Sequence, residues 1–441
     1  MLKTKKLTGE IEIEAITVKD IKREVKNLSD FKKKIEKSLN KRTTDLIKII
    51  LTGAFYLDAS DIHIEPQEKQ IKMRLRVDGV LHDILFFDSS AYKKLLSRTK
   101  LLSKLKLNVT DRPQDGRFSI LLEGTSIEIR TSSIPAEYGE SLVLRILNPK
   151  WVVDMESLGL RKDLLKLFIE ETKKPNGMII CTGPTGSGKT TTLYAFLQKI
   201  YNPGIKIITI EDPIEYHLKG ISQSQVDEAK GFTFANGLRA IVRQDPDIIL
   251  IGEIRDLETA QIATQAALTG HLVLSTVHTN DAAGTIARLH ALGEELANIA
   301  PSLNIAIGQR LVRTICKKCA EVKKILPEDF KTIEKDLKNL PKGTDTPKLT
   351  PNSKIAYAKG CEDCSFTGYK GRIGIFEAFL IDDEMEKFIM SAPSITDMRE
   401  KAIKKGMVLM RQDGFIKVLK GITTIKEIER VTKEEEVLEK I

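Results

Sequence analysis

Hydrophobic and polar residues alternate along the first third of the chain in short runs that favour β-strands. The runs with this period of two are 62–64, 71–77, 80–86, 118–122, 127–131 and 142–146. Apolar residues at helical spacing over 46–55 predict a helix that starts near Thr44, and a second helix is predicted over 90–106. Together these elements predict a small α+β domain over residues 43–147.

Beyond residue 157 the apolar runs become continuous, which indicates strands that are buried on both faces. The predicted strands of this region are 178–182, 206–211, 247–252 and 271–276. The helices predicted between them are 189–200, 234–243, 256–268 and 281–291, with further helices from about residue 382. Such alternation predicts a mainly parallel sheet covered by helices over 157–441, joined to the first domain by a linker at 148–156.

The composition is that of an ordinary globular protein. At 441 residues, with 41% hydrophobic and 30% charged residues, the chain is long enough for two or three domains. No apolar run is long enough to span a bilayer, and no apolar segment follows the first lysines, so no secretory signal peptide is predicted. We therefore expect a cytoplasmic protein whose membrane contact is peripheral, at the inner face of the cytoplasmic membrane.

The net charge of +9 is concentrated in a basic N-terminal segment, residues 1–42. Thirteen Lys or Arg against seven Asp or Glu place six of the nine net positive charges there. Two interpretations stay open: a solvated, loosely ordered surface segment, or a docking segment for an acidic partner or for anionic lipid head groups. A nucleic-acid groove is disfavoured, because Phe31 is the only aromatic residue of the segment and base stacking needs several.

Residues 183–190 read Gly-Pro-Thr-Gly-Ser-Gly-Lys-Thr and lie between a predicted strand and a predicted helix. The glycines allow the backbone to curl so that successive N–H groups point at an anion, and the helix adds its positive dipole end. Lys189 is predicted to contact the outer phosphates, and the Thr190 hydroxyl is predicted to hold Mg²⁺. The residues predicted to bind the nucleoside triphosphate are Gly183, Pro184, Thr185, Gly186, Ser187, Gly188, Lys189, Thr190 and Thr191.

Polar side chains at the ends of other predicted strands complete a candidate catalytic site. Glu253 follows one buried strand and is predicted to orient the attacking water, since phosphoryl transfer relies on positioning and charge neutralisation. Glu211 ends another strand, where a carboxylate is expected to contact Mg²⁺ or its bound waters. His278 follows a third strand at the edge where α/β sheets bind ligands.

These motifs and their order resemble the secretion ATPases of type II secretion systems and type IV pili. The four motifs, which in that family are the Walker A, Asp box, Walker B and His box, lie at 183–192, 210–216, 238–256 and 269–282. The first domain carries further matching motifs at 59–66, 74–79, 112–117 and 139–147. The resemblance covers about residues 43–430 and implies a Mg²⁺-dependent ATP hydrolase.

The resemblance also implies an architecture. It is a RecA-like P-loop ATPase domain with a mainly parallel sheet, preceded by a smaller α+β domain of the PAS-like kind, with a zinc-binding insert at 310–375. Arg130 and Arg145 of the first domain are expected to reach the phosphates of ATP, where guanidinium charge stabilises the transition state. The arginines that match others lining the site or the subunit interface are Arg239, Arg243, Arg255 and Arg288. Homo-hexamers that act on an inner-membrane platform protein are the expected assembly.

Four of the five cysteines form two Cys-x-x-Cys pairs. The first pair is Cys316 and Cys319, and the second, after an insert of forty-one residues, is Cys361 and Cys364. Two such pairs predict a tetrahedral zinc site, with free surface thiols as the alternative, and cytoplasmic reduction disfavours disulfides. The fifth, Cys181, is predicted to be buried. The resemblance supports zinc, because assembly and secretion members typically carry this module and retraction members lack it.

The function predicted from these features is ATP hydrolysis that powers type IV pilus assembly or type II protein secretion. The alternative is a nucleic-acid motor, such as a helicase or a DNA-transfer ATPase, which the scarcity of aromatic residues disfavours. A third hypothesis is a nucleotide-gated scaffold without turnover. Family members usually have a longer docking domain where this chain has a basic segment of about forty residues, so its route to the platform stays open.

Overall fold

The computed structural model describes residues 9–149 and 153–438, with side chains described as far as Thr432. The chain divides into two compact units. The first comprises Met1–Lys150, Cys316–Ala320 and Lys359–Lys370, and the second comprises Trp151–Ile315, Glu321–Ala358 and Gly371–Ile441. The two short segments that carry the paired cysteines therefore group with the first unit, although the second unit's chain flanks them.

The first unit is built on an antiparallel sheet with one parallel edge strand. Its strands within the described residues are β1 (Gly9–Glu12), β2 (Ala59–Pro66), β3 (Ile71–Val77), β4 (Val80–Phe87), β5 (Gln114–Leu122), β6 (Thr125–Ala136) and β7 (Gly139–Leu147). Their spatial order is β1-β5-β6-β7-β2-β3-β4, with β1 parallel to β5. Side chains alternate as the period of two predicts: Phe118 and Ile129 are buried, whereas Arg117 and Arg130 lie on the opposite face.

Helices of the first unit pack against the apolar face of this sheet. Those described are α1 (Ala15–Glu24), α2 (Leu28–Glu36), α3 (Thr43–Tyr56) and α4 (Ser89–Leu102). Buried residues of all four helices and of the sheet belong to one core. The helix predicted over 90–106 ends at Leu102, shortly before Lys104, which has a φ of 60° and cannot continue a right-handed helix.

The expectation of a loosely ordered N-terminal segment is wrong for residues 9–36. Ile21, Phe31 and Ile35 have no exposed surface and lie in the same core as α3. Phe31 approaches α3 at Gly53, where a Cβ would lie 2.3 Å from the ring atom Cε2. The basic charge is compatible with this order because most lysines of α1 and α2 are on exposed faces of amphipathic helices. Residues 1–8 lie outside the described residues.

The second unit contains the mainly parallel sheet that the sequence predicts. Strands of the remaining described chain are β8 (Gly177–Thr182), β9 (Ile207–Glu211), β10 (Ser222–Gln225), β11 (Ile248–Ile251), β12 (Leu272–Val277), β13 (Leu303–Ile315), β14 (Glu321–Lys324), β15 (Lys354–Tyr357) and β16 (Tyr369–Leu380). The main sheet has the order β10-β9-β11-β12-β8-β13-β16, and its pairs from β10 to β13 are parallel. Strands β14 and β15 form a separate antiparallel pair.

Helices alternate with these strands and continue to the C-terminal end of the described chain. They are α5 (Lys162–Glu171), α6 (Lys189–Ile200), α7 (Phe234–Val242), α8 (Leu257–Leu268), α9 (Gly284–Ala291), α10 (Leu296–Ser302), α11 (Pro327–Leu337), α12 (Asp383–Ile389), α13 (Ile395–Lys404), α14 (Met410–Leu419) and α15 (Ile425–Leu438). Within the described ranges, none of these or the preceding helices combines the length and apolar character needed to cross a bilayer.

The sequence pattern did not predict strands β13 and β16. In β13 the polar residues Gln309 and Arg310 interrupt an apolar run, yet they are 1% and 6% exposed. Their burial is tolerated because both form hydrogen bonds, Gln309 with Thr192 and Arg310 with a backbone carbonyl. Of the predicted linker, residues 150–152 lie outside the described residues, and the part that follows forms a short 3₁₀ helix, Met155–Leu158.

Candidate nucleotide-binding site and cysteine cluster

The predicted phosphate-binding loop, residues 183–188, joins β8 to α6 inside the parallel sheet. Strand β8 lies between β12 and β13. The loop glycines Gly183, Gly186 and Gly188 have φ angles of 146°, 79° and 89°, which residues with a side chain rarely adopt. At Gly183 space is lacking as well, since a Cβ would lie 2.3 Å from the carbonyl oxygen of Gln309. Glycine is therefore required by both conformation and packing.

The donors around this loop suit an anion. Helix α6 begins directly after the loop, so its first N–H groups lack helical acceptors and carry the positive end of the helix dipole. The hydroxyl of Ser187 is buried and has no hydrogen-bond partner among the described residues. Lys189 Nζ donates to the carbonyl oxygens of Gly183 at 2.7 Å and Pro184 at 3.2 Å. These residues fit a bound phosphate group.

The other residues predicted to bind the nucleotide differ in exposure. Pro184, Thr185 and Gly186 are exposed at the tip of the loop, whereas Thr190 and Thr191 are partly buried in the first turn of α6. The hydroxyl of Thr190 thus lies directly beyond the phosphate-binding loop, where the motif predicts a Mg²⁺ ligand.

Gly183→Ala is expected to destabilise the protein more than Gly186→Ala. Both replacements force a positive φ on alanine, at a cost of about 1–2 kcal/mol, but only Gly183→Ala adds a clash, because nothing lies within 4 Å of a Cβ at Gly186. Overpacking adds about 1–3 kcal/mol, so Gly183→Ala should unfold at a temperature lower by several degrees in the absence of nucleotide. Equal melting midpoints for the two variants would contradict this loop geometry.

Glu253 lies immediately beyond β11 and contacts two other residues that the sequence singled out. Its side chain is 12% exposed, with Oε1 2.5 Å from Arg255 Nη2 and Oε2 3.2 Å from His278 Nε2. No partner within the described residues meets hydrogen-bond geometry at Oε2. Because β11 and β12 are parallel neighbours, the segments that follow them bring Glu253 and His278 to the same edge of the sheet.

Glu253 and Lys189 belong to one electrostatic site. Burial lowers the pKa of the Lys189 ammonium, and the Coulombic interaction with the Glu253 carboxylate acts in the opposite direction. A cation on the phosphate-binding loop and a carboxylate at the end of β11 are thus close enough to influence each other. The role of Glu253 as the acceptor for the attacking water stays a prediction.

Glu211, at the end of β9, is more enclosed than the sequence suggests. It is 2% exposed and accepts hydrogen bonds from Thr209 Oγ1 at 2.6 Å, from Gln223 Nε2 at 3.2 Å and from the Tyr194 hydroxyl of α6. Burial raises the pKa of Glu211. The Tyr194 bond ties α6, the helix that begins at the phosphate-binding loop, to the end of β9.

Sequence reasoning missed two buried polar residues that hold the site together. Gln309 Oε1 on β13 accepts a hydrogen bond from Thr192 Oγ1 on α6 at 2.8 Å. Glu377 on β16 accepts from the N–H groups of Ala282 at 2.9 Å and Met410 at 3.0 Å, which fixes the loop after His278 to the start of α14. Each is a polar residue inside a largely apolar run, and that signal would have identified them as candidates.

The four further arginines predicted near the site lie in different settings. Arg255 contacts Glu253, as described above. Arg239 on α7 forms an ion pair with Glu258 on α8. Arg243 and Arg288 are exposed. Their assignment to the site or to a subunit interface stays a prediction.

Arg130 and Arg145 lie in the first unit, directly opposite each other on β6 and β7. Arg130 Nε is 3.5 Å from Glu128 Oε1, and Arg145 Nε donates to Asp61 Oδ1 at 2.9 Å. Two guanidinium groups on facing strands repel each other unless anions lie between or around them. Their contact with phosphates stays a prediction, and in the first unit each guanidinium lies beside a carboxylate, Arg130 beside Glu128 and Arg145 beside Asp61.

The four paired cysteines converge in the first unit. Their Sγ atoms all lie within 4.8 Å of one another, with separations of 3.9 Å for Cys316–Cys361 and 3.8 Å for Cys319–Cys364. Four thiolates around a tetrahedral Zn²⁺ at about 2.3 Å would be about 3.8 Å apart. Burial alone would raise the pKa of Cys364, but backbone N–H groups of Cys361 and Gly368 and the neighbouring thiols lower it to about 7. The cluster fits zinc.

The parallel sheet, the glycine loop at a helix N-terminus and the carboxylate beyond a nearby strand define a P-loop nucleoside triphosphatase. The profile of the family described as Type II/IV secretion system protein matches residues 36–430. The chain belongs to this family. The glycine loop, the strand-end carboxylate and the fold thus agree with the family in indicating a P-loop nucleoside triphosphatase.

Relatives that are similar over most of this chain are secretion and pilus proteins. Type II secretion system protein E of Pectobacterium carotovorum is 45% identical over 392 residues, which are 88% of this chain and 76% of that protein. Type II secretion system ATPase E of Vibrio cholerae is 45% identical over 88% of this chain and 75% of that protein. Type IV pilus assembly ATPase PilB of Thermus thermophilus is 42% identical over 87% of this chain and 42% of that protein.

Solved structures share the fold. The ATPase DotB of Legionella pneumophila aligns over 90% of this chain and 97% of its own, with a TM-score of 0.64 and 22% identity. The pilus retraction motor PilT with bound ADP aligns over 89% of this chain and 98% of its own, with a TM-score of 0.58 and 25% identity. The predicted fold class, family and ATPase activity are confirmed, and these relatives give no support to the nucleic-acid alternative.

Proposed function

We propose that the chain is the ATP-hydrolysing motor of a type II secretion or type IV pilus assembly machine. The observation that carries this proposal is Glu253, a nearly buried carboxylate at the end of β11 whose two oxygens lie beside Arg255 and His278. A binding protein without turnover has no need of such a carboxylate beside its phosphate site. The named functions of the relatives support the same conclusion.

Each residue of the site has a part in the proposed chemistry. Backbone N–H groups of the non-proline residues within 183–191 hold the phosphates, and Lys189 contacts the outer ones. Thr190 would ligate Mg²⁺, which when bound neutralises charge that develops on the phosphate oxygens. Glu253 accepts a hydrogen bond from the attacking water and directs it at the γ-phosphate, with His278 as its positioning partner. Glu211, at the end of β9, would contact Mg²⁺ or its bound waters.

Arg130 and Arg145 supply two further cations to the phosphates in this proposal. Spreading guanidinium charge over the γ-phosphate stabilises the transition state, because Arg presents several donors in a fixed planar arrangement. Their register opposite each other on β6 and β7 supports this assignment, since it puts both side chains on one face of the sheet, where a multiply charged anion can contact both.

The cysteine cluster is proposed to hold a structural Zn²⁺. Its four ligands would be Cys316, Cys319, Cys361 and Cys364, which leave no open coordination position for substrate. The proposed ATPase domain is 157–441, which includes the 310–375 module by sequence, and the proposed N-terminal domain is 43–147.

The expected assembly is a cytoplasmic homo-hexamer at the inner face of the membrane, acting on an inner-membrane platform protein. The exposed lysines of α1 and α2 are suited to an acidic partner surface or to anionic lipid head groups. The relatives named as a type II secretion system ATPase and a type IV pilus assembly ATPase support a role within such a machine.

The experiment that tests the proposal is stimulation of ATP hydrolysis by candidate partners. Phosphate release by the full chain would be measured alone, with the cytoplasmic domain of its inner-membrane platform protein, and with single-stranded DNA. A several-fold rise with the platform domain and none with DNA is expected. A large rise with DNA and none with the platform domain would favour a nucleic-acid motor instead.

A further inference from the structure

The sheet of the first unit carries a row of arginines on the face opposite its core. Arg117 on β5 pairs in register with Arg130 on β6, and Arg130 pairs with Arg145 on β7. Arg145 pairs in turn with Asp61 on β2, which pairs with Arg76 on β3. Like charges directly opposite each other destabilise a sheet. The neighbouring arginines of this row therefore destabilise the sheet unless carboxylates compensate their charge, which points to a function that keeps the arginines.

Asp61 is shared by two members of this row. Arg145 Nε donates to its Oδ1 at 2.9 Å, while Arg76 Nε lies 3.4 Å from its Oδ2. The side chain of Asp61 is only 6% exposed. One enclosed carboxylate thus has a separate cation on each of its oxygens.

The same arrangement recurs at Glu128. Its Oε1 lies 3.5 Å from Arg130 Nε, and its Oε2 lies 3.8 Å from Arg117 Nη1. Glu128 is 29% exposed, so water screens it better than Asp61. Each inner arginine therefore shares its carboxylate with one outer arginine, Arg130 with Arg117 and Arg145 with Arg76.

If the inner arginines bind phosphate, as the proposed function holds, the carboxylates of Asp61 and Glu128 each lose one of their two cations. Arg145 holds Asp61 through Nε, and this contact loosens when the guanidinium turns to give that donor to a phosphate. A carboxylate as enclosed as Asp61 is strongly destabilising without a cation, whereas one that keeps a second cation is not. Arg76 satisfies that condition for Asp61, and Arg117 does so for Glu128.

We propose that Arg76 and Arg117 are positioning residues that act as resident counter-ions. When the guanidinium groups of Arg145 and Arg130 turn to the triphosphate, Arg76 stays paired with Asp61 and Arg117 stays paired with Glu128. Neither carboxylate is then left without a cation. The effect is larger for Arg76, because Asp61 is more enclosed than Glu128. This inference rests on the proposed contact between the inner arginines and the phosphates.

The test uses the full chain with Arg76→Ala, Arg76→Lys, Asp61→Asn and the double variant Arg76→Ala/Asp61→Asn. Arg76→Ala should lower kcat/KM for ATP about tenfold, mainly through KM, because Asp61 then retains Arg145. Affinity for ADP, which lacks the γ-phosphate, should change less than twofold. Arg76→Lys should restore most of the loss, and Arg76→Ala should have little further effect once Asp61 is uncharged.

Matched variants separate this inference from the proposed function. Lys72→Ala removes another cation of β3, whose partner is Asp83 rather than a carboxylate shared with an inner arginine, and should leave kcat/KM unchanged. If Arg145→Ala lowers kcat/KM but Arg76→Ala does not, the counter-ion role is wrong and the phosphate contact stands. If Arg145→Ala itself has no effect, the proposed contact with phosphate fails. An equal loss for Arg76→Ala with and without Asp61→Asn would also overturn the counter-ion role.

Discussion

Glu253→Gln is expected to lower the rate of ATP hydrolysis by about 10²–10⁴-fold while nucleotide binding is retained. The glutamine keeps the size of the side chain but accepts a proton from water far less readily than a carboxylate. Binding persists because the phosphates are held by the loop at 183–191, which Glu253 does not form. Single-turnover phosphate release and equilibrium binding of a fluorescent ATP analogue measure the two quantities separately.

The matched control is Glu258→Gln, which removes a carboxylate from the nearby helix α8. Glu258 is 55% exposed and pairs with Arg239, so its loss should leave turnover within about twofold, as for an exposed ion pair. If wild type hydrolyses ATP no faster than Glu253→Gln, the chain is a nucleotide-gated scaffold and not a motor.

The double variant Cys316→Ser/Cys361→Ser is expected to lose bound zinc, from about one ion per chain to nearly none. Each Cys-x-x-Cys pair then keeps one thiolate, which cannot complete a tetrahedral site. Structural zinc binding is worth about 10–16 kcal/mol in zinc-finger peptides, so the segments around the cluster should unfold locally. Metal analysis by mass spectrometry and limited proteolysis over residues 316–370 measure these effects.

Cys181→Ala is the control for this experiment. Cys181 is fully buried in β8, and burial raises its thiol pKa to about 12, so it is a neutral core residue. Zinc content should be unchanged in Cys181→Ala. Full zinc content in the double variant would show that the four thiols are not the ligand set.

Local patterns predicted the phosphate-binding loop because its geometry depends on consecutive residues. Glycines at 183, 186 and 188 are needed for positive φ angles, and the sequence alone reveals them. Glu253 and His278 were predicted at the ends of parallel strands, and parallel strands place such ends at one edge of a sheet. Their proximity of 3.2 Å follows from that rule and from the observed register.

The N-terminal segment shows where composition misleads. Its charge suggested a loosely ordered surface segment, yet Phe31 and Ile35 are fully buried. Net charge is summed over all faces of a helix, whereas burial depends on the one face that carries the apolar residues. Burial of Phe31 also needs a partner that leaves space for its ring, and Gly53 does so. Gly53 lies outside residues 1–42, so a pattern search limited to that segment does not include it.

By itself, the sequence determined the phosphate-binding loop, the strand-end carboxylate at Glu253 and the two cysteine pairs. Only the tertiary structure decided which side chains meet across long separations: Gln309 with Thr192, each cysteine pair with the other, and the arginines along one row. Strand register sets these contacts, and a shift by one residue would turn every arginine of a strand to the opposite face. Register depends on packing between distant segments, which local sequence patterns do not encode.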